Sequence, residues 1–443
     1  MKRLQQWGLD FSVGTLNFLA LAGIMLPYIL ILFQYQRTHS TTYLIALVAV
    51  YISRAASIFY TKRFNLRSST YLLLTLIFGA LGSLPFALTQ SLGWLILGSV
   101  LWGYSAATIW PYFLTVKLHL SHTTAFKMKR VYWLVFLVLA LLLAADFGFH
   151  LSFSLTFALL AILNLVALPG GLLLNQFTHD FYQDQPSQPH GLKQLWRWWL
   201  SVLFFAALAL LTTLRKASMA LPNWATLLII LVALVIAGIE LLADKHDLGA
   251  FKLRLLHRGV LMSFVLLFSS FMAFFYWGSL GMYLVFAMYL IGFESGNAVI
   301  GVLAHHDATR QKVLAGRLLG LGHLLILIPW KWSYLLGLLL LATYIGYDNP
   351  TVTKDLYESE ATDDDSAMIE KYRFSTAGGL LCQLCLFALL ALIACLTPLT
   401  ILDFFKPTTT AHWFFYTWAV NWPLTLGSAW VSWRALRQPN TLK

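Results

Sequence analysis

The sequence predicts an all-α integral membrane protein with about fourteen transmembrane helices, and three observations carry that prediction. Hydrophobic residues make up 59% of the 443 residues, charged residues only 11%, and the mean hydropathy is +0.73. A soluble chain of this length needs far more polar surface, so lipid is the solvent for most of it. Apolar stretches of about 20 residues, enough to cross a bilayer core, follow one another from Phe11 to Trp433. The stretches are continuous rather than alternating, which selects helices over a closed barrel.

Apolar runs set against turn and charge signals place the spans near 12–33, 41–60, 70–88, 92–116, 130–147, 150–173, 195–213, 222–242, 259–277, 280–303, 314–329, 332–346, 375–397 and 412–433. No small-residue cleavage site follows Met1-Lys2-Arg3, so the first run is expected to stay as an anchor. Loops rich in Lys and Arg mark the cytoplasmic side. They hold Lys62, Arg63 and Arg67; Lys117, Lys127, Lys129 and Arg130; Lys193 and Arg197; Lys245, Lys252, Arg254 and Arg258; Arg310, Lys312 and Arg317; and Arg434, Arg437 and Lys443. Both termini are therefore expected in the cytoplasm, with the chain in the plasma membrane. Arg215-Lys216 is the one basic pair that this topology leaves outside. The polar stretch 347–374, with Glu358, Glu360, Asp363, Asp364, Asp365 and Glu370, is expected to be an acidic, solvated cytoplasmic loop. Tryptophans near the predicted ends, such as Trp133, Trp198, Trp330 and Trp433, fit an interfacial belt.

The formal charge of +12 would suggest nucleic acid in a soluble protein. Here it sits in short loops where topology requires it, so no nucleic-acid partner is expected. Cys382, Cys385 and Cys395 share one apolar segment, with no histidine or second pair beside them, so neither a disulfide framework nor a metal site is expected. No cofactor is implied. No GxxxxGK[ST] phosphate loop occurs, which argues against ATP-driven transport by this chain alone.

Three motifs carry a resemblance. The fourth span contains Gly103, Ser105, Ala106, Ala107 and Pro111, a small-residue run ending in proline, with Ser99 at its head. The loop after the second span reads Thr61-Lys62-Arg63-Phe64-Asn65-Leu66-Arg67, and the loop after the tenth reads Gly301-Val-Leu-Ala-His305-His306-Asp307-Ala-Thr-Arg310-Gln-Lys312. The first of these resembles the fourth-helix signature of the major facilitator superfamily, with Ser99 in place of its arginine. The two loops resemble that superfamily's loop between helices two and three, with Lys62 in place of the aspartate and Asn65 in place of the glycine. The resemblance implies a divergent, fourteen-helix member: a six-helix bundle over residues 1–175, a linker and two extra helices over 176–257, and a second six-helix bundle over 258–443. Lys62, Arg63, Arg67, Gly301 and Arg310 would then lie in conformational-switch loops. The glycine-proline motif common in the fifth helix of antiporter branches is absent from Val131–Phe147.

Charge at the bilayer centre costs about 2.5–3.5 kcal/mol on insertion scales, so Glu294 is the sharpest candidate site residue. Gly292 and Gly296 flank it and are expected to open the helix locally, and Asn297 shares its face at i, i+3. Arg54 occupies the corresponding helix of the first half; a functional role and snorkelling to the cytoplasmic surface are both open. With Asn17, Tyr104 and Gln383, these residues form the substrate or proton site implied by the resemblance, near the midplane between halves. Asn17, Gln383 and Asn421 also fit helix–helix hydrogen bonds, and His323 fits a packing histidine. The expected function is secondary transport of a small or amphiphilic solute by alternating access, with membrane lipids around it and protons as a candidate coupling ion. Two alternatives stay open: a flippase for lipids or lipid-linked saccharides, and an integral-membrane transferase. The second needs catalytic groups at one membrane face, for which only His305-His306-Asp307 offers itself, and no enzymatic activity is expected.

Overall fold

Every described element is helical, as apolar runs in lipid demand, because a helix closes its backbone hydrogen bonds within itself. The computed structural model describes residues 2–23, 26–38, 40–61, 66–123, 152–179, 223–242, 250–278, 280–358, 367–397 and 416–437. Spans expected at 130–147 and 195–213 lie outside the described residues, as do Arg215-Lys216, Lys62 and Arg63. Among the described residues, six helices are long and apolar enough to cross a membrane. The segments Gln5–Ala22 and Leu26–Leu32, inclined by 57°, add a seventh if they form one broken span. The chain is a multi-pass helical membrane protein. It divides into two compact units: Met1–Met219 with Asp364–Glu370, and Ala220–Asp363 with Lys371–Lys443.

The first unit contains α1 (Lys2–Ala22), α2 (Leu26–Thr38), α3 (Thr41–Tyr60), α4 (Ser68–Leu88), α5 (Leu92–Thr123) and α6 (Phe153–His179). Small residues set its crossings, since helices in lipid associate by close packing rather than by hydrophobic burial. A Cβ placed on Gly98 of α5 would stand 2.9 Å from the carbonyl oxygen of Gly82 on α4, and one on Gly82 would stand 3.0 Å from that of Gly98. Gly103 of the small-residue run lies against Ser53 and Arg54 of α3, where the Ser53 hydroxyl donates to the Val100 carbonyl at 2.7 Å. The small residue at this point lets α3 approach α5.

The second unit contains α7 (Asn223–Leu242), α8 (Ala250–Ser263), a five-residue π-helical turn (Phe264–Phe268), α9 (Ser269–Trp277), α10 (Leu280–Leu303), α11 (Ala308–Leu327), α12 (Lys331–Tyr357), most of α13 (Ala367–Leu396), a second π turn (Tyr416–Asn421) and α14 (Trp422–Arg437). The packing of the first unit recurs here. Gly322 of α11 and Gly337 of α12 face each other, with hypothetical Cβ atoms 3.1 and 2.8 Å from the opposing carbonyl oxygens. Gly292 and Gly296 of α10 lie against Ala342 and Thr343 of α12, and Gly346 lies against the Phe293 backbone. Helices α3, α4 and α5 are therefore matched in order and contact by α10, α11 and α12.

Two expectations need correction. The stretch 347–374 is not a solvated loop where it is described: α12 continues to Tyr357 and α13 starts at Ala367. Its acidic residues extend the helices because Arg254 on α8 holds two of them, Asp348 and Asp355, each at 2.8 Å. The glycines beside Glu294 do not open α10, which is continuous from Leu280 to Leu303. Their spacing of four residues instead puts both against α12, where a side chain would push the helices apart.

Candidate solute site and the charged cluster of the second unit

Glu294 lies two residues from each of the glycines that seat α10 on α12. At about 100° per residue this turns its carboxylate away from that seam, opposite the packed face. Glu294 and Asn297 are both exposed within their unit. An uncovered carboxylate cannot face hydrocarbon without the insertion cost that singled it out, so this face of α10 requires water or a polar partner. Gln383, on α13, is half-buried.

The first unit places its predicted residues differently. Arg54 is half-buried on α3, with the phenols of Tyr51 and Tyr28 near its guanidinium. Tyr104 on α5 stacks edge-on against Phe78 with ring centroids 5.0 Å apart. Asn17 on α1 is buried, and its Nδ2 has no hydrogen-bond partner. Ser105 Oγ and Asn164 Oδ1 are likewise buried without a hydrogen-bond partner, and both flank Gly79. Asn164 was not singled out from sequence, although an asparagine amid Leu160–Val166 was signal enough. The structure thus assigns Arg54, Asn17 and Tyr104 to one unit and Glu294, Asn297 and Gln383 to the other.

Of the residues expected in switch loops, Arg67, Gly301 and Arg310 are described. Arg67 is the N-cap residue of α4. After Gly301 the chain leaves α10 through His305 and His306, both in the left-handed region at φ 52° and 60°. Asp307 then caps α11, its carboxylate accepting from the backbone N–H of Thr309 at 2.8 Å and of Arg310 at 3.0 Å. Arg310 is exposed, 3.9 Å from the Asp307 carboxylate. The His305-His306-Asp307 cluster is thus a helix stop followed by a helix start. His323 and Asn421 serve packing: His323 Nε2 is 3.0 Å from Ser428 Oγ, and Asn421 Nδ2 donates to the Ile326 carbonyl at 3.1 Å.

The most concentrated charge in the second unit was counted from sequence only as a topology signal. Arg254 binds Asp348 through Nε and Nη2 at 3.1 and 2.8 Å, and Asp355 through Nη1 at 2.8 Å. Burial alone would lower the pKa of Arg254; the Asp348 charge and the bonds to both carboxylates outweigh it and hold the guanidinium above its ordinary value. Lys371 on α13 is fully buried, and its ammonium donates to the Asn349 carbonyl oxygen at 3.3 Å, to Asn349 Oδ1 at 2.9 Å and to the Thr353 hydroxyl. Beside them, His257 Nε2 stands 2.8 Å from Ser432 Oγ on α14. This cluster ties α8, α12, α13 and α14 together.

No protein-family profile matches the chain, and no curated protein matches it. Solved structures do. The chain is similar to the peptide transporter POT in complex with sulfate, at 12% identity and a TM-score of 0.52, covering 97% of this chain and 93% of that one. It is also similar to a POT family transporter in complex with a thioalcohol-conjugated peptide, at 14% identity and a TM-score of 0.53, covering 97% and 95%. The nucleoside transporter NupG aligns at 13% identity and a TM-score of 0.45, over 98% and 97%. The chain thus shares the polytopic helical fold of these two peptide-transporter structures.

Proposed function

We propose that this chain is a secondary transporter that moves a small or amphiphilic solute by alternating access. The observation that carries the reading is the recurrence of one glycine-set three-helix packing, α3–α4–α5 in the first unit and α10–α11–α12 in the second. Repeated halves are the usual build of such transporters, and the likeness to POT structures over nearly the whole chain supports it. We read the full chain as fourteen spans, six in each half with a central pair, and both termini as cytoplasmic. Within that reading Glu294 and Asn297 contact solute or a coupling proton from one half, with Gln383 beside them in the chain's last third. Arg54, Asn17 and Tyr104 serve from the other half. Lys62, Arg63, Arg67, Gly301 and Arg310 belong to the loops that shift between states.

Peptides are the first solutes to try, because peptide transporters share the fold. The test is uptake into proteoliposomes from a mixture of peptides and other metabolites, with and without an inward proton gradient. Wild type should accumulate at least one solute, and Glu294→Gln should lose most of that uptake while eluting as the same monodisperse species. Undiminished uptake by Glu294→Gln would remove the carboxylate from the site, and no gradient-dependent uptake of any solute would count against transport itself.

A further inference from the structure

Among the described residues of the second unit, Arg258 is a buried cation with no ion-pair partner. Arg254 and Arg258 are four residues apart on α8 and share a face. The first is matched by both carboxylates of the cluster, Asp348 and Asp355. Lys371 is matched by the oxygens of Asn349 and Thr353. Arg258 is only 5% exposed, yet its Nη1 is buried with no hydrogen-bond partner. Among the described residues no carboxylate lies within ion-pair distance of it. Its charge acts on the phenols of Tyr289 on α10 and Tyr344 on α12 and on the amine of Lys371 on α13.

A lone buried guanidinium is costly, and unlike a lysine it cannot shed its proton to relieve the cost. An apolar side chain of the same volume would pack as well at lower free energy. The geometry therefore points to a ligand. We propose that Arg258 is the anion-accepting point of the second unit, and that the solute carries a carboxylate or phosphate group which completes the guanidinium. The planar donor fork suits either oxyanion through two parallel hydrogen bonds. The phenol of Tyr289 on α10 lies in the field of both Arg258 and Glu294. The inference rests on the transporter reading and narrows its solute to one that bears an oxyanion.

The test uses the full-length protein and begins without any solute. Arg258→Met should leave the Tm in detergent unchanged or raise it, whereas Arg254→Met should lower it, because only the second removes a matched charge. A fall in Arg258→Met as large as that in Arg254→Met would overturn the proposal by showing that Arg258 is a paired structural cation. Inorganic phosphate, dialanine and dialanine amide are then added at constant ionic strength. Phosphate or dialanine should raise the Tm of wild type where the amide does not; the rise should vanish in Arg258→Met and survive in part in Arg258→Lys. Equal rises in wild type and Arg258→Met, or no rise with either anion, would overturn it. A Tm rise through Arg258 seen only with phosphatidylglycerol vesicles, and not with phosphatidylcholine vesicles plus soluble anion, would assign the oxyanion to a lipid headgroup and refute a solute role. Absence of uptake for every solute, with these Tm results intact, would instead fault the transporter reading.

Discussion

The two units share one three-helix packing and differ in the polar contacts described beside it. In the first, the described polar contacts between α4 and α5 are neutral: Thr75 to Thr108 at 2.8 Å, and the Trp102 indole N–H to Ser83 Oγ at 2.7 Å. In the second, the C-terminal part of α12 carries Asp348 and Asp355, with Arg254 of α8 bound to both and Lys371 of α13 bound beside them to Asn349 and Thr353. Shared crossings with different contents separate the scaffold from the task. Glycines fix how closely helices approach, and charge decides what the resulting faces bind or hold.

The largest effect expected from this contrast falls on Asp348. Removing one partner of a buried ion pair leaves the other uncompensated, typically at a cost of about 3–5 kcal/mol. Asp348→Asn should accordingly lower thermal stability in detergent far more than Asp355→Asn, because the Asp348 side chain is 6% exposed and that of Asp355 is 35%. Equal losses would show that Arg254 does not discriminate between its two partners. Next come the glycine crossings. Gly82→Leu and Gly322→Leu should each destabilise by roughly 1–3 kcal/mol through overpacking, and by similar amounts if the two crossings are equivalent. A loss at one and tolerance at the other, read from unfolding midpoints, would break the match between the units. The smallest effect belongs to the cap of α11: Asp307→Ala should cost about 1 kcal/mol, and Asp307→Asn distinctly less, because asparagine also caps.

Much of this was legible in the sequence. Glu294 stood out because nothing polar precedes it for several turns, and the small residues around Gly103 stood out as a run, which the structure uses for a close approach of two helices. What misled was spacing without context. Gly292 and Gly296 at i, i+4 are compatible with a hinge or with a packing seam, and only the position of α12 distinguishes them. Asp348 was hidden by the polar residues that follow it, which read as the start of a loop rather than as one face of a longer helix. Arg254 and Arg258 were absorbed by the rule that basic residues mark the cytoplasmic side. That rule accounts for which side of the membrane they occupy and says nothing of whether they are buried.

The central claim is that the α10 face bearing Glu294 and Asn297 is wet. It can be tested without knowing the solute. In a background with Cys382, Cys385 and Cys395 replaced, single cysteines at Glu294, Asn297 and the outward-facing Leu321 of α11 are exposed to a membrane-impermeant maleimide in proteoliposomes. Rapid labelling at positions 294 and 297, with position 321 protected by lipid, is the predicted result. Protection at all three positions would mean that α10 turns Glu294 into hydrocarbon or packed protein, and would contradict the account.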